Sequence, residues 1–330
     1  MSLQIIKAGI LDTIQDQGRY GYQHLGINPG GVMDRYASQL ANALLGKDLQ
    51  LPVIEIHFPS SKILFQKETI ICVTGADFTP TINRKKFPIN HPVAVNKNTE
   101  LHFEKKLSEA RCYLSILHHL DVDKWMNSCS TNLVAAAGGF KGRALQKKDI
   151  INFKNNFGYK YLAAEKDFAL LPWTIETTAL KKEIRFIKGN EWDWLTDDAI
   201  KIFSESNYTI SNNSNRMGYR LQGNALNVKE DMQLISSGVT FGTIQLLPGG
   251  QLIVLMADHQ TTGGYPRIGH VITADLPLLA QSNPRDEIKF TPVEPAIAEE
   301  EFIQQQRDLQ QIQTASKFKI EKYVSYTLKV

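Results

Sequence analysis

The sequence predicts a mainly β protein with a few helices. Short runs rich in β-branched and aromatic side chains recur along the chain, and turn residues separate them. One segment instead repeats its apolar residues at helical spacing. The chain has 330 residues, 42% of them hydrophobic and 22% charged, which is enough for about two packed domains. Strands this closely spaced favour a sandwich or a barrel over alternating strands and helices.

The first half contains four clear strand-like runs and one helix. The runs are 52–58, 62–65, 69–74 and 111–117. The helix is predicted over 32–45, where apolar residues recur every three or four positions. Asp34 suits the positive end of the helix dipole, and Gly46 follows in the position that commonly ends a helix.

The second half alternates strands with short helices. Strands are predicted at 182–187, near 234–235, at 242–247 and at 252–257, and helices at 191–204, 276–280 and 296–313. We expect two domains, 1–175 and 176–330, the second ending in a helix and a tail. Each half contains a glycine-rich polar loop that leads toward a short helix, which suits two related domains.

Composition excludes several classes of function. The net charge of +3 is small for this length, so a nucleic-acid partner is not expected. The basic residues of 141–154 indicate a solvated face or a local anion site. Cys72, Cys112 and Cys129 contain no C-x-x-C pair, which argues against a disulfide framework or a zinc finger. The sequence shows neither a signal peptide nor a membrane span, and a cytoplasmic location is expected.

The segment 258–267 concentrates polar chemistry after the buried-strand run 252–257. Polar loops held by rigid strands often carry function, and two adjacent glycines allow a ligand close to the backbone. The alternative is a hairpin corner closed by a Tyr-Pro plug. The candidate residues in this segment are Asp258, Gln260, Thr261, Thr262, Gly263, Gly264, Tyr265 and Arg267.

A second polar loop spans 12–31 and leads into the predicted helix at 32–45. Backbone amides at a helix N-terminus attract anions. Its glycine spacing matches neither a Walker A loop nor a dinucleotide fingerprint. A long structural hairpin is the alternative. The candidate ligand-binding residues here are Gln15, Asp16, Arg19 and His24.

Two further segments combine arginines with glycines. In 137–145, Gly139 and Arg143 suit a carboxylate or phosphate, and the alternative is a β-turn with exposed cations. In 213–221, an extended backbone would place Arg216 and Arg220 on one side, and the alternative is an edge strand with exposed arginines.

Two other signals carry little weight. His118 and His119 are followed by Asp121, but adjacent strand side chains diverge and no zinc-ligand spacing occurs, so no metal site is predicted. The sequence around Ser237 is not a nucleophile elbow, and no serine nucleophile is expected.

Six motifs together resemble one known family in the same order along the chain. The chain is similar to the KipA-type, or allophanate hydrolase subunit 2, family of biotin-dependent-carboxyltransferase-like proteins, which includes the C subunit of 5-oxoprolinase. The resemblance extends from about residue 5 to about residue 292. The motifs are 12–35, 73–77, 138–143, 215–220, 242–245 and 258–266.

The resemblance implies a fold and a function. The fold is two tandem cyclophilin-like β-barrel domains. The function is an ATP-dependent 5-oxoprolinase, which converts 5-oxo-L-proline to L-glutamate, assembled with a KipI-type B subunit and a YcsF/LamB-type A subunit. ATP with Mg²⁺ is implied, and biotin is not expected because the chain has no biotinylation site. The alternatives are a regulatory antagonist that binds a KipI-type protein and the carboxyltransferase component of a urea-carboxylase-like system.

The chemistry of opening a small anionic lactam suggests roles for individual residues. Asp258 is expected to act as a base or to orient Mg²⁺, and Arg216 and Gln260 complete the predicted catalytic set. Ser237 departs from the family pattern, where an acidic residue is expected. The predicted substrate- or phosphate-binding residues are Gln15, Asp16, Arg19, His24, Gly139, Arg143, Tyr219, Gln245, Thr261, Thr262, Gly263, Gly264, Tyr265 and Arg267.

Overall fold

The structure, a computed structural model, describes residues 2–154, 167–176, 183–230 and 234–327. Within these ranges the chain is mainly β, as predicted. It divides into two compact units. The first unit comprises Met1–Gly18, Asp34–Thr177 and Arg307–Val330, and the second comprises Arg19–Met33 and Thr178–Gln306.

The two units are not contiguous in sequence. The expected domains 1–175 and 176–330 place 19–33 in the first half and 307–330 in the second, whereas the contacts group each segment with the other unit. Sequence order alone cannot show that a loop packs with a distant part of its chain.

The first unit contains two six-stranded sheets. Their orders are β11-β1-β4-β9-β6-β7 and β12-β8-β5-β10-β3-β2. The expected closed barrel in this half stays a prediction. The strands are β1 (Ser2–Lys7), β2 (Thr13–Gln15), β3 (Val53–Ile56), β4 (Lys62–Phe65), β5 (Thr69–Gly75), β6 (Pro80–Ile82), β7 (Lys85–Lys86), β8 (Pro92–Val95), β9 (Thr99–Phe103), β10 (Cys112–Ile116), β11 (Ile150–Asn152) and β12 (Phe168–Leu170).

The strand β5 is buried on both faces. Ile71 and Val73 face the core between the two sheets, while Ile70 and Cys72 belong to a separate apolar cluster that includes Leu40. Leu40 lies on the helix α1 (Arg35–Leu44), which covers the outer face of this sheet. Burial on both faces explains why the sequence of β5 is continuously apolar rather than alternating.

The helix α1 begins three residues later than predicted. Asp34 adopts an extended backbone, and its side chain accepts a hydrogen bond from the Ala37 amide at 2.8 Å. This is an N-cap, so the helix starts at Arg35 and not at residue 32.

The second unit contains a closed seven-stranded barrel of order β13-β20-β17-β18-β15-β14-β21. Its apolar core includes Phe186, Phe203, Tyr219 and Phe290. A separate two-stranded ribbon consists of β16 and β19. The strands are β13 (Glu183–Lys188), β14 (Tyr208–Ile210), β15 (Gly218–Gln222), β16 (Ser237–Gly238), β17 (Thr243–Leu246), β18 (Leu252–Leu255), β19 (Thr262–Gly263), β20 (Arg267–Val271) and β21 (Glu287–Pro292).

Three helices follow in the chain, and two of them differ from the prediction. The predicted helix 191–204 is a short 3-10 turn followed by α2 (Asp197–Glu205), because Thr196 caps a new helix by accepting from the Ala199 amide. The helix α3 (Leu276–Ala280) is confirmed. The helix α4 (Pro295–Thr327) is longer than the predicted 296–313.

The predicted strand near 234–235 is wrong, because the strand pairing begins only at Ser237. The other predicted strands are confirmed to within about two residues at each end. None of the helices in the described part of the chain combines the length and the apolar character that crossing a bilayer requires.

Candidate functional site

An arginine–aspartate pair forms the centre of the site in the second unit. Arg216 lies just before β15, and Asp258 lies just after β18. These strands are antiparallel with Gly218 opposite Leu255, so the two side chains meet at the same end of the barrel. Arg216 Nε lies 2.7 Å from Asp258 Oδ2, and Nη2 lies 3.0 Å from Oδ1. This bidentate geometry fixes both side chains.

A diglycine turn completes this site, which we call the Arg216 cluster. The Arg216 Nη2 group donates to the Gly31 carbonyl at 2.6 Å. Gly30 has a φ of 61°, and a Cβ atom there would lie 3.0 Å from Arg19 Nη1 and 3.6 Å from Asp258 Oδ1. Glycine therefore lets two guanidinium groups and one carboxylate approach the same turn.

The two arginines of segment 213–221, which were expected on one side of an extended backbone, lie in different environments. Arg216 is 8% exposed and belongs to the cluster, whereas Arg220 is exposed. Tyr219 lies in the barrel core with 3% exposure, and its predicted ligand-binding role stays a prediction. The strand β15 begins only at Gly218, so the alternation of side chains between its two faces does not include Arg216.

The rest of the segment 258–267 includes the short strand β19 and the residues beside it. Gln260 and Thr262 are exposed, and Thr261 and Gly264 are half-buried. Tyr265 is 43% exposed. Gly263 is buried, and a Cβ atom there would lie 2.6 Å from Gln245 Nε2.

The Gln245 amide is buried beneath the ribbon of β16 and β19. Its Nε2 group lies 3.4 Å from the Tyr265 carbonyl. Among the residues that the structure describes, no group donates a hydrogen bond to its Oε1 atom. The Ser237 hydroxyl also has no hydrogen-bond partner among them. Ser237 lies opposite Gly263 in the ribbon. Side chains of directly opposed residues lie on one face, so the Ser237 hydroxyl is directed to the same side as Gln245.

Arg267 is engaged by a carboxylate that the sequence did not reveal. Its Nη2 and Nε groups bind Glu191 at 2.7 and 3.0 Å, and the two residues are 76 positions apart. Burial by itself would raise the pKa of the Glu191 carboxyl. The hydrogen bonds to Glu191 and the charge of Arg267 together outweigh burial, so the pKa is lowered. His24 lies exposed on a 3-10 turn.

In the first unit, Asp16 organises the loop that follows β2. Its Oδ1 atom accepts from Ser128 Oγ and Ser130 Oγ, both at 2.6 Å, and from the Gly18 amide at 2.9 Å. Its Oδ2 atom accepts from the Cys129 amide at 2.5 Å. Four donors to one carboxylate indicate that Asp16 fixes the local fold, and its predicted ligand-binding role stays a prediction.

The other first-unit candidates are also held by protein contacts. Arg143 binds Asp149 with two nitrogen–oxygen distances of 2.7 and 2.8 Å. Gln15 Nε2 lies 3.3 Å from the Thr131 carbonyl. Gly139 has a φ of 62°, and a Cβ atom there would lie 2.0 Å from Thr131 Oγ1. The glycine is thus required by packing, whatever ligand the loop takes.

Comparison with known proteins identifies the family. The model of the family "Carboxyltransferase domain, subdomain A and B" matches residues 25–292. The chain belongs to this family. It is 36% identical to the C subunit of 5-oxoprolinase from Haemophilus influenzae over 287 residues, covering 85% of this chain and 88% of that protein. It is 34% identical to the C subunit of 5-oxoprolinase from Escherichia coli, covering 84% and 87%.

Larger proteins contain a similar region. Urea amidolyase of Saccharomyces cerevisiae is 28% identical over 88% of this carboxyltransferase-family chain, which covers 17% of that protein. The crystal structure of Kluyveromyces lactis urea carboxylase matches with a TM-score of 0.86 and 26% identity, over 96% of this chain and 29% of that one. The predicted family is therefore confirmed.

Proposed function

We propose that this chain is the C subunit of an ATP-dependent 5-oxoprolinase. The supporting observation is its similarity, at 36% and 34% identity, to two proteins of that name over most of both chains. The match to urea amidolyase covers only 17% of that protein. The stand-alone subunit is thus the nearer precedent in length as well as in identity.

The Arg216 cluster supplies the chemistry for an anionic substrate. Arg19 and Arg216 carry two positive charges, and Asp258 carries one negative charge. The turn at Gly30 brings these groups together. We propose that it holds the carboxylate of 5-oxoproline, and that Gln260 and Gln245 lie toward the lactam amide.

Asp258 acts in this proposal as a positioning residue. Both of its oxygens accept from Arg216, so the carboxylate is already engaged by the guanidinium. We therefore assign Asp258 the task of orienting the Arg216 guanidinium, in place of the base or Mg²⁺-orienting group expected from the sequence.

The arginine-rich loops by themselves do not fit Mg²⁺ and ATP. Arg143, Arg216 and Arg267 each bind a carboxylate of the chain. Among the residues that the structure describes, no three His, Cys, Asp or Glu side chains group as metal ligands. We propose that ATP activates the lactam within the complex and is held outside these loops.

The proposed complex contains a KipI-type B subunit and a YcsF/LamB-type A subunit. The test is to purify the three chains together and to measure ATP turnover that depends on 5-oxoproline. Arg216→Lys should lower this rate about a hundredfold, because lysine cannot replace a bidentate guanidinium. Arg220→Lys is the matched control, since Arg220 is exposed on the following strand. An Arg216→Lys complex with the wild-type rate would remove the cluster from the reaction.

A second candidate function is carboxyl transfer to urea. The likeness to urea carboxylase, at a TM-score of 0.86, favours it. Adding a biotin carboxylase and a biotinylated carrier to the chain, with urea in place of 5-oxoproline, decides between the two. Carboxylation of urea without turnover of 5-oxoproline would replace the first proposal by this one. A chain that binds the KipI-type protein but supports neither reaction would be the regulatory antagonist.

A further inference from the structure

The first unit contains a cavity that none of the roles above uses. Its volume is about 410 Å³, and we call it the lysine cavity because Lys47, Lys124 and Lys154 line it together with His119. The lysines come from three separate segments of the chain. Cavities of this size accommodate small-molecule ligands.

Lys47 is the buried cation of this cavity. It is 7% exposed, and its ammonium donates to the Ile116 carbonyl at 2.6 Å and to the Ser115 hydroxyl at 3.3 Å. An ammonium has three donors, and neither partner carries a charge. Within the described part of the chain no carboxylate pairs with Lys47, which is unusual for a buried charged side chain.

The carboxylates that line the same cavity are engaged elsewhere. Asp16 accepts the four hydrogen bonds described above. Asp48 is exposed, and it accepts from the Gln50 amide at 2.9 Å. The Lys154 Nζ atom lies 3.5 Å from Asp121 Oδ1. Both side chains are about half exposed, so solvent screens this ion pair and makes it weak.

The pKa values of the histidines near Lys47 are lowered in part by neighbouring positive charges. Burial lowers the pKa of Lys47 to about 7. Burial, together with the charges of Lys47 and Lys154, lowers the pKa of His119. His118, next to it, has its pKa lowered to about 4 by burial and by the charges of Lys67, Lys47 and His119. A bound anion would relieve this shared repulsion.

We propose that the lysine cavity binds a small phosphate-bearing molecule. Three lysines line the space, one of them buried, and the two lining carboxylates accept hydrogen bonds from other groups. Phosphate suits such a site because lysine acts toward it as a mobile point charge. All the lining residues belong to the first unit, so this binding requires no second subunit.

Calorimetric titration of the purified full chain with inorganic phosphate, without Mg²⁺, tests the proposal. We expect saturable binding at one site. Lys124→Gln and Lys154→Gln should each weaken it roughly tenfold, since each removes a charge-assisted hydrogen bond. Lys97→Gln is the matched control, because Lys97 is exposed on the turn between β8 and β9 and should leave the affinity unchanged.

Titration with ATP under the same conditions separates the sources of phosphate. ATP that displaces phosphate and binds more tightly identifies a nucleotide, and ATP that does not compete identifies a smaller phosphorylated molecule. Lys47→Met should abolish binding, and circular dichroism shows whether that variant folds. The proposal is overturned if phosphate does not bind, or if the Lys124→Gln and Lys154→Gln chains bind it as tightly as the wild type.

Discussion

Arg216 in the second unit and Lys47 in the first are both buried cations, but they are neutralised in different ways. Arg216 is 8% exposed and binds the Asp258 carboxylate through two nitrogens. Lys47 is 7% exposed, and its partners among the described residues are a carbonyl and a hydroxyl. Within that part of the chain, one buried charge is thus matched by a carboxylate, and the other is not.

The difference follows from the chemistry of the two side chains. A guanidinium keeps its proton at every pH a protein meets, so burial requires a carboxylate partner. A lysine can lose its proton when it is desolvated, and burial lowers the pKa of Lys47 to about 7. The paired arginine is therefore suited to hold a geometry, and the unpaired lysine is suited to respond to a ligand.

The largest expected effect is the pH dependence that Lys47 contributes to stability. Its pKa is about 7 in the folded chain and near the ordinary 10.5 in the unfolded chain. Between these values the unfolded state binds more protons, so the free energy of unfolding rises with pH. The contribution is present above pH 10.5 and is lost as the pH falls toward 7. Its size is on the order of 5 kcal/mol.

Urea unfolding at pH 7 and pH 10 measures this contribution in wild type and in Lys47→Met. The wild type should gain stability relative to the variant between the two pH values, and Lys97→Met should behave like the wild type. Phosphate should reduce the gain, because a bound anion stabilises the charged lysine. Parallel profiles for Lys47→Met and wild type would show that Lys47 is not desolvated.

Removing the carboxylate of the Arg216 cluster is expected to have the next largest effect. Asp258→Asn removes the carboxylate that binds the buried Arg216 guanidinium through two nitrogens. We expect the free energy of unfolding to fall by about 3 kcal/mol, measured by denaturant titration. The double variant Asp258→Asn/Arg216→Met should recover part of the loss. Additive losses in this cycle would contradict a direct pairing of the two side chains.

A smaller effect is expected where the ribbon covers Gln245. Gly263→Ala places a Cβ atom 2.6 Å from Gln245 Nε2, and the glutamine must shift. We expect a loss of about 1–2 kcal/mol in thermal or chemical unfolding. Gly238→Ala is the matched control on the adjacent strand, since no atom lies within 4 Å of its added Cβ. Equal effects of the two substitutions would mean that the ribbon does not press on Gln245.

The smallest effect is expected at an exposed ion pair. Arg185 binds Asp275, whose side chain is 5% exposed, and also Glu301, whose side chain is 47% exposed. Glu301→Gln should change the free energy of unfolding by less than about 0.5 kcal/mol, because solvent screens this contact. Asp275→Asn, assayed in parallel, should cost several times more. A large loss from Glu301→Gln would indicate that the helix α4 depends on this contact.

Much of the fold is local enough to be predicted from the sequence. The continuously apolar run of β5, the helical spacing of α1 and the short helix α3 are all correct to within a few residues. The errors occur where a single side chain decides the outcome. Asp34 and Thr196 each begin a helix by capping it, and so they shift or divide the predicted elements.

The candidate site was only partly predictable. The segment 258–267 and the loop ending at Gly31 are evident from their unusual mixture of glycine, amide and charge. The partners of the arginines are not, because Glu191 lies 76 residues from Arg267 and Asp258 lies 42 residues from Arg216. Spacing in the sequence carries no information about such distant pairs.

The sequence by itself determined the mainly β class, the principal elements, the family and the residues rich in chemistry. The tertiary structure alone decided which charged side chains pair with a charge of opposite sign. The sequence does not distinguish the three arginines that the structure pairs with a carboxylate, which are Arg143, Arg216 and Arg267. Lys47 has none in the described part of the chain. The physical reason is that electrostatic pairing depends on distance and burial, and chain folding sets both.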